Sequence, residues 1–475
     1  MNLFSFTFVL YLAVVAVLYY SAAKSSRKKK IILVVSGTLF YSMFSVANLA
    51  ILLTITIIFY LLAAGLSATD KSSGRKTIMA AGIAFGAGTM LFFKYISWAL
   101  DFAGYYFNFD TTGQPVLENI RMPIGMSFYM FSAMSSIIDA YRAGPGKKIS
   151  LLDYSAYLTF FPYLLSGPIM RFGDMKIQFD DENKPDNNKI AGGIFLILLG
   201  LFEKMIISDQ LLSHVTDKVY ALKETPSFIS VWVAVFSYAG QIYYDFNGYT
   251  MIAMGGASLL GIRLNPNFNC PYASSGIGDF WRRWHMTLSF WFRDYFYIPM
   301  GGSKKGKIRH YLNLILTMLI CGIWHGSSLK YLCWGFVHGL FLAVERIGKD
   351  ILKVKKIPLA DNAVLRLAYS VFTCAVVSIA WIFFRAGSLK KSFYMISNLV
   401  PSSNQAAFTL EPSDLAKVAL VVCGTAIVQI IFRNRNFLET ISGVSAPVKA
   451  LLVMLLILSI STMSGNLNAF IYFQF

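Results

Sequence analysis

Long apolar runs recur from one end of the chain to the other, separated by short polar segments. Most of them approach the roughly 20 residues that a helix needs to cross a bilayer. The pattern predicts an all-α, polytopic membrane protein with about 11–13 spans, forming a single integral-membrane domain over residues 1–475. The candidate spans are residues 3–22, 31–47, 48–67, 78–107, 120–140, 190–213, 227–260, 311–326, 330–347, 364–385, 414–433 and 446–464.

Two apolar segments do not fit a spanning helix. Residues 161–175 are too short and are interrupted by Gly167 and Pro168. Residues 279–299 are rich in aromatic side chains but carry Arg282, Arg283, Arg293 and Asp294. Because charges inside a bilayer are costly, we expect re-entrant or interfacial helices at both places.

The charge pattern gives the orientation. The chain has a net charge of +18 but only 14% charged residues, against about 25% in soluble domains. The positive charges fall in short loops at residues 24–30, 70–76, 141–148, 303–310 and 349–356. This is the positive-inside pattern, which favours a cytoplasmic membrane face over nucleic acid as the reason for the charge. It predicts an extracytoplasmic N-terminus and an outer loop at 107–119.

Residues 279–339 hold most of the candidate chemistry. This segment contains four of the five histidines and five of the eight tryptophans. His325 lies between glycines at the end of an apolar span, where an imidazole can act as a general base near neutral pH. A structural histidine bonded to a nearby carbonyl is the alternative.

The other polar residues leave more alternatives open. His285 could orient or protonate a reacting group, or cap an interfacial helix, whereas His338 is expected to bond between helices. Asp245 and Asn247 lie in an apolar span, where the carboxylate needs a partner. Asp245 either holds an arginine or lines a polar tunnel.

Motifs for metal and nucleotide binding are missing from the sequence. It contains neither HExxH nor a phosphate-binding GxxxxGK[ST] loop, and the five cysteines form no CxxC pair. We therefore predict no metal site and no tightly bound cofactor.

Several of these motifs resemble the membrane-bound O-acyltransferase superfamily. They are MPIGMSFYMFSAMSSIIDAYR (122–142), FPYLLSGPIMRF (161–172), QIYYDFNGYTMIAMG (241–255), DFWRRWHMTLSFWFRDYFYIPMGG (279–302), GIWHG (322–326), WGFVHG (334–339) and WIFFRAG (381–387). The element YIPMGGSKKG is similar to the alginate O-acetyltransferase branch. The resemblance spans nearly the whole chain.

The resemblance implies a helical bundle with a central tunnel. It implies that His325 and His285 are catalytic, and we place Trp324, His338, Arg282, Asp245 and Asn247 as residues that line the tunnel or orient groups in it. It also implies that acetyl-coenzyme A donates an acetyl group at the cytoplasmic side. The acetyl group then passes outward to a separate acyltransferase, which places it on a polysaccharide hydroxyl.

The C-terminal residues 470–475, FIYFQF, are similar to the end of a small partner peptide in teichoic-acid D-alanylation, whose tyrosine is implicated in carrying the acyl group. The resemblance suggests Tyr472 as an acyl relay. An ordinary aromatic residue at the membrane interface is the alternative.

Two other functions are considered. One is D-alanyl transfer from a carrier-protein thioester to teichoic acid. The other is a transporter that performs no covalent chemistry, which would favour broken helices in repeated halves. The sequence contains no strong internal repeat of that kind.

Overall fold

The computed structural model describes residues 4–22, 25–107, 122–181, 186–222, 225–354, 363–403, 405, 410–435, 445–463, 468 and 471. All regular elements in these ranges are helical, because in lipid a helix satisfies its backbone hydrogen bonds within one segment. The all-α prediction is confirmed. The predicted outer loop at 107–119 lies, apart from Phe107, outside the described residues.

The helices are numbered here in chain order. They are α1 (Phe6–Ser21), α2 (Ser26–Ser42), α3 (Val46–Ala68), α4 (Ser72–Phe107), α5 (Met126–Ala143), α6 (Leu151–Leu158), α7 (Phe161–Leu164), α8 (Phe172–Asp180), α9 (Asn187–Phe202), the π-helix π1 (Glu203–Leu212), α10 (Ser213–Tyr220), α11 (Phe228–Leu259), α12 (Ile277–Trp281), α13 (Met286–Phe292), the π-helix π2 (Arg293–Tyr297), α14 (Lys307–His325), α15 (Leu329–Val354), α16 (Ala363–Ala380), α17 (Ile382–Arg385), α18 (Leu389–Ser397), α19 (Pro412–Phe432) and α20 (Ala446–Met463). A short 3₁₀ turn covers Pro271–Ala273.

Ten of the twelve predicted spans lie mainly on one helix each, whereas 190–213 is divided between α9 and π1 and 364–385 between α16 and α17. Five helical stretches are long and apolar enough to cross a membrane, and α1 and α20 contain shorter apolar stretches. Large apolar side chains on these helices are exposed, for example Val17, Leu61 and Leu420. Such surfaces suit lipid rather than water. The five are Val46–Ala68, Ser72–Leu100, Asn187–Tyr220, Leu367–Arg385 and Pro412–Phe432.

The described residues fall into two compact units, Met1–Ile197 with Thr250–Asn265 and Leu198–Tyr249 with Pro266–Phe475. In the first unit, the rings of Phe8, Phe40 and Phe161 pack within 6.3 Å of one another. The single membrane domain over residues 1–475 stays a prediction.

The start of α2 differs from the predicted basic loop at 24–30. The helix begins at Ser26, and the Ser25 hydroxyl accepts a hydrogen bond from the Lys28 amide at 3.3 Å. Lys30 is buried, where its ammonium pairs with Asp153 at 2.5 Å and also with Asp180. A buried lysine is tolerated because it is paired, so part of this basic segment is inside the protein.

Neither of the two segments that were expected to be re-entrant or interfacial forms one continuous helix. Residues 161–175 form α7, a buried non-helical stretch and the start of α8. In this region the Gly167 amide bonds to the Tyr163 carbonyl at 3.0 Å, and the Tyr157 hydroxyl donates to the Met170 carbonyl at 2.8 Å. Residues 279–299 are divided among α12, α13 and π2, each too short to span a bilayer.

Helices α14 and α15 form a tight hairpin because glycines line their contact. A Cβ on Gly322 would lie 2.3 Å from the Tyr331 carbonyl oxygen, and one on Gly335 would lie 2.3 Å from the Met318 carbonyl oxygen. Small residues let helix backbones approach closely in membranes. The repeated GxxHG pattern at 322–326 and 335–339 therefore includes the glycines of this contact.

We expect Gly335→Ala to destabilise the protein, because the helices must move apart to admit the methyl group. Overpacking of this kind costs about 1–3 kcal/mol of unfolding free energy. The check is thermal unfolding of the purified protein in nanodiscs. Gly348→Ala on the same helix is the matched control, since nothing lies within 4 Å of a Cβ there. Equal unfolding temperatures for the two variants would contradict the close packing.

Candidate active site

His325 is the last residue of α14, and the extended Gly326 follows it. The imidazole is 4% exposed. Its ring centroid lies 4.5 Å from that of Trp324, 4.9 Å from Phe384 and 5.1 Å from Trp334. The end of the helix thus delivers a titratable ring into an aromatic enclosure that excludes bulk solvent.

Four tryptophans continue this enclosure, and we call Trp281, Trp284, Trp334 and Trp381 the tryptophan cluster. Trp334 stacks on Trp381 at 5.8 Å, Trp281 lies 5.6 Å from Trp334, and Trp284 lies 4.9 Å from Trp381. The short helix α12 and the residues after it bring two of these rings, whereas α15 brings Trp334 and the end of α16 leads to Trp381. Several elements therefore build one aromatic wall.

His338 contacts the same wall, with its ring 4.9 Å from Trp334. The indole N–H of Trp281 donates to Nδ1 of His338 at 3.3 Å. Since the indole can only donate, the neutral His338 ring carries its proton on Nε2. Among the described residues, this buried Nε2 has no hydrogen-bond partner. His338 bonds between helices as expected, and it also presents a buried donor.

His285 precedes α13 in the left-handed backbone conformation, with φ of +42°. Its Nδ1 lies 3.3 Å from Oδ1 of Asn267, which also accepts a hydrogen bond from the Thr287 hydroxyl at 2.6 Å. The Nδ1 therefore donates, and Nε2 carries the lone pair. The ring of Phe246 lies 4.7 Å away. Among the described non-glycine residues only Cys270 shares a positive φ, and such strain often marks functional positions.

Arg283 holds the segment that carries His285. Its guanidinium pairs with Asp279 at 3.1 Å and donates to the carbonyls of Asn269 and Arg433 at 3.2 and 3.0 Å. Burial alone would raise the pKa of the Asp279 carboxyl, but the Ser275 amide and Arg283 outweigh it and leave the pKa below its ordinary value. Asp279 is thus held as a carboxylate.

Arg282, predicted to line the tunnel or orient groups in it, is at the surface of the described residues. Its side chain is 66% exposed and pairs with Asp279 at 3.4 Å. The turn after α12 directs the neighbouring Arg283 inward instead, with 16% of its side chain exposed. Tyr472 lies outside the described residues.

Asp245 and Asn247 belong to a second polar group, on α11. Asp245 pairs with Lys204 rather than with an arginine, and Lys204 also pairs with Asp209 at 2.8 Å. We call Lys204, Asp209 and Asp245 the charge cluster. Asn247 donates to the buried Glu203 carboxylate at 2.8 Å.

The sequence did contain a signal for this group that the prediction did not use. Glu203, Lys204 and Asp209 are three ionisable residues inside one apolar run, and such residues are functional or paired by default. Trp334, Trp381, Phe384 and Arg283 lie in motifs that carry the family resemblance but were given no role, and Asn267 was missed. Their contacts join distant parts of the chain, which the motifs alone do not specify.

We expect Arg283→Lys to lower the unfolding temperature, because a lysine keeps the charge but loses the planar set of donors that joins three partners. The matched control is Arg282→Lys next to it, whose exposed surface pair contributes about 0–1 kcal/mol. Thermal unfolding in nanodiscs measures both variants. A larger effect at Arg282 than at Arg283 would contradict this assignment.

Comparison with known proteins identifies the family. The model of the membrane-bound O-acyltransferase (MBOAT) family matches residues 139–380, which include α14, α15 and all four predicted candidates from His285 to His338. The chain is 30% identical over 464 residues to a probable alginate O-acetylase AlgI of Pseudomonas putida, which covers 93% of each chain.

Two further relatives extend the comparison. A peptidoglycan O-acetyltransferase of Helicobacter pylori is 31% identical over 395 residues, covering 77% of this chain and 73% of that protein. A teichoic acid D-alanyltransferase of Streptococcus thermophilus is 30% identical over 259 residues, covering 50% of this chain and 62% of that protein. With its apolar helices, its family match and these similarities, the chain belongs to the membrane-bound O-acyltransferase family and is a multi-pass membrane O-acyltransferase.

Proposed function

We propose that this protein is an acetyltransferase that takes acetyl groups from acetyl-coenzyme A at the cytoplasmic side and passes them outward for O-acetylation of an extracytoplasmic polysaccharide. The observation that carries the proposal is His325, a buried imidazole inside an aromatic enclosure. The relatives named as an alginate O-acetylase and a peptidoglycan O-acetyltransferase support a glycan hydroxyl as the final acceptor.

In the proposed reaction, His325 accepts the proton of an acceptor hydroxyl while the oxygen attacks the thioester carbonyl carbon. The carbon–sulfur bond of the tetrahedral intermediate then breaks. The imidazolium returns its proton to the departing thiolate, which leaves as the coenzyme A thiol. One carbon–oxygen bond forms, one carbon–sulfur bond breaks, and the acetyl group becomes an ester.

Two other buried histidines and the tryptophan cluster are given complementary roles in this proposal. The Nε2–H of His338 can donate to the oxygen that becomes negative in the intermediate, as oxyanion-stabilising groups do. His285 offers the opposite form, an Nε2 lone pair that can accept from a hydroxyl and orient it. The tryptophan cluster keeps water away, which limits hydrolysis of the thioester.

Basic residues provide a place for the phosphates of coenzyme A. Lys304, Lys305, Lys307 and Arg309 are all exposed, at and just before the start of α14. Such a cationic surface attracts phosphates and anionic lipid head groups. In the proposed orientation these loops face the cytoplasm of a bacterial inner membrane, the N-terminus lies outside, and a separate extracytoplasmic acetyltransferase receives the acetyl group.

D-alanyl transfer to teichoic acid is the second candidate. The similarity to a teichoic acid D-alanyltransferase favours it, but this covers only 50% of the chain, against 93% for the alginate O-acetylase relative. A transporter without covalent chemistry is not supported, because the chain belongs to an acyltransferase family.

We expect His325→Ala to lower release of coenzyme A from acetyl-coenzyme A by roughly 10²–10⁴-fold, the usual contribution of general acid–base catalysis. The assay uses purified protein in nanodiscs, acetyl-labelled coenzyme A and an acceptor fraction from the cell envelope. His214→Ala is the control, because His214 is exposed and belongs to neither site group. Both variants must unfold at the temperature of the wild type.

The outcomes separate the candidates. Turnover at the wild-type rate by the His325→Ala variant would show that His325 takes no part in the reaction. Absence of turnover with acetyl-coenzyme A, together with turnover of a D-alanyl carrier-protein thioester, would replace the acetyl proposal with D-alanyl transfer.

Tyr472 is proposed as an acyl relay between acetyl-coenzyme A and the external acceptor, with its hydroxyl as the first acceptor of the acetyl group. We expect wild-type protein to acquire an acetyl label on Tyr472 that alkali releases, as an ester of a phenol would be. Tyr472→Phe removes only the hydroxyl and should lose both the label and transfer to the external acceptor. Mass spectrometry of the C-terminal peptide measures the first, and acceptor labelling measures the second. Full transfer by Tyr472→Phe would refute the relay.

A further inference from the structure

Residues 468 and 471 are bound by buried carboxylates far away in the sequence. The backbone N–H of Asn468 donates to Oδ2 of Asp209 at 3.1 Å, and the backbone N–H of Ile471 donates to Oδ2 of Asp245 at 2.9 Å. The side-chain amide of Asn468 also donates to the Ser213 hydroxyl at 3.0 Å. Ile471 is itself buried. The C-terminal segment is therefore held by its main chain.

The charge cluster is arranged to receive these amides. The side chains of Lys204 and Asp245 have no exposed surface, and that of Asp209 is 1% exposed. Oδ1 of each carboxylate accepts a hydrogen bond from the single Lys204 ammonium. Oδ2 of each is left to accept one from the backbone N–H of Asn468 or Ile471. One cation against two anions leaves a net negative charge, and buried charge is costly unless hydrogen bonds satisfy it.

The local backbone explains how three charges meet. Lys204 and Asp209 are five residues apart in π1, and a π-helix has the i→i+5 hydrogen-bond repeat. Asp245 comes from α11, which packs closely against the chain at Gly200 and Lys204 because Gly248 has no side chain. A Cβ on Gly248 would lie 2.6 Å from the Gly200 carbonyl oxygen and 3.1 Å from the Lys204 amide nitrogen. Rare π-helical geometry and a glycine contact thus assemble the cluster.

We propose that the charge cluster is a docking site for a peptide segment, in which Asn468 and Ile471 of this chain are the bound residues. The site recognises two backbone N–H groups three residues apart and an apolar side chain at the second position. This inference does not depend on the proposed acetyl transfer, because it concerns how the segment is held.

The decisive experiment changes one N–H in the full-length protein. Ile471→Pro removes the donor to Asp245, since proline has no backbone N–H, whereas Ile471→Ala keeps it and removes most of the side chain. Hydrogen–deuterium exchange of the C-terminal peptide, in nanodiscs without substrate, measures docking. We expect exchange at Asn468 and its neighbours to become roughly 10- to 100-fold faster in Ile471→Pro, as for loss of a hydrogen bond to a charged group, and to change less in Ile471→Ala.

A second pair tests the receptor side. Asp245→Asn removes the charge, and Asp217→Asn is the control because Asp217 is exposed and lies outside the cluster. We expect faster exchange of the C-terminal peptide in the first variant alone. If Asp245→Asn does not fold, the comparison of Ile471→Pro with Ile471→Ala still tests the proposal. Equal protection in Ile471→Pro and the wild type would overturn the proposal, and so would equal loss in Ile471→Pro and Ile471→Ala.

Discussion

The close contact between α14 and α15 is the constraint on which the candidate active site depends. Without side chains on Gly322 and Gly335, backbone atoms of the two helices meet directly. Since dispersion forces and close packing hold helices together in lipid, this contact positions His325 at the end of one helix and Trp334 on the other. A wider hairpin would separate the imidazole from its 5.1 Å contact with Trp334.

The second theme is the separation of two polar environments within one unit. His325, His338 and the tryptophan cluster form a largely aromatic region, in which charge that develops during a reaction would be poorly screened and strongly felt by nearby donors. The charge cluster is also buried but carries fixed charges that are paired with one another and with backbone amides. The first environment suits chemistry, and the second suits anchoring of the chain.

The sequence predicts the helices well because lipid leaves few alternatives for an apolar run. It also identifies His325 and Trp324, which are neighbours in the chain. It does not predict Phe384 or Trp381 beside them, because tertiary packing brings these residues together. Which of Arg282 and Arg283 points inward depends on the backbone conformation of the turn after α12, which the sequence pattern does not specify. The pair of Lys204 and Asp209 is hidden for another reason, since residues five apart in an α-helix point about 140° away from each other.

The π-helical stretch Glu203–Leu212 has a consequence for how such a protein can change over generations. A π turn contains one more residue than an α turn, so loss of one codon within this stretch is the smallest change that would restore α geometry. Deletion of one residue removes about 100° of rotation, but the return from π to α winding restores it, so the following residues Ser213–Tyr220 keep their packing face. The π turn therefore absorbs one extra residue locally, and the packing of the next helix is insulated from it.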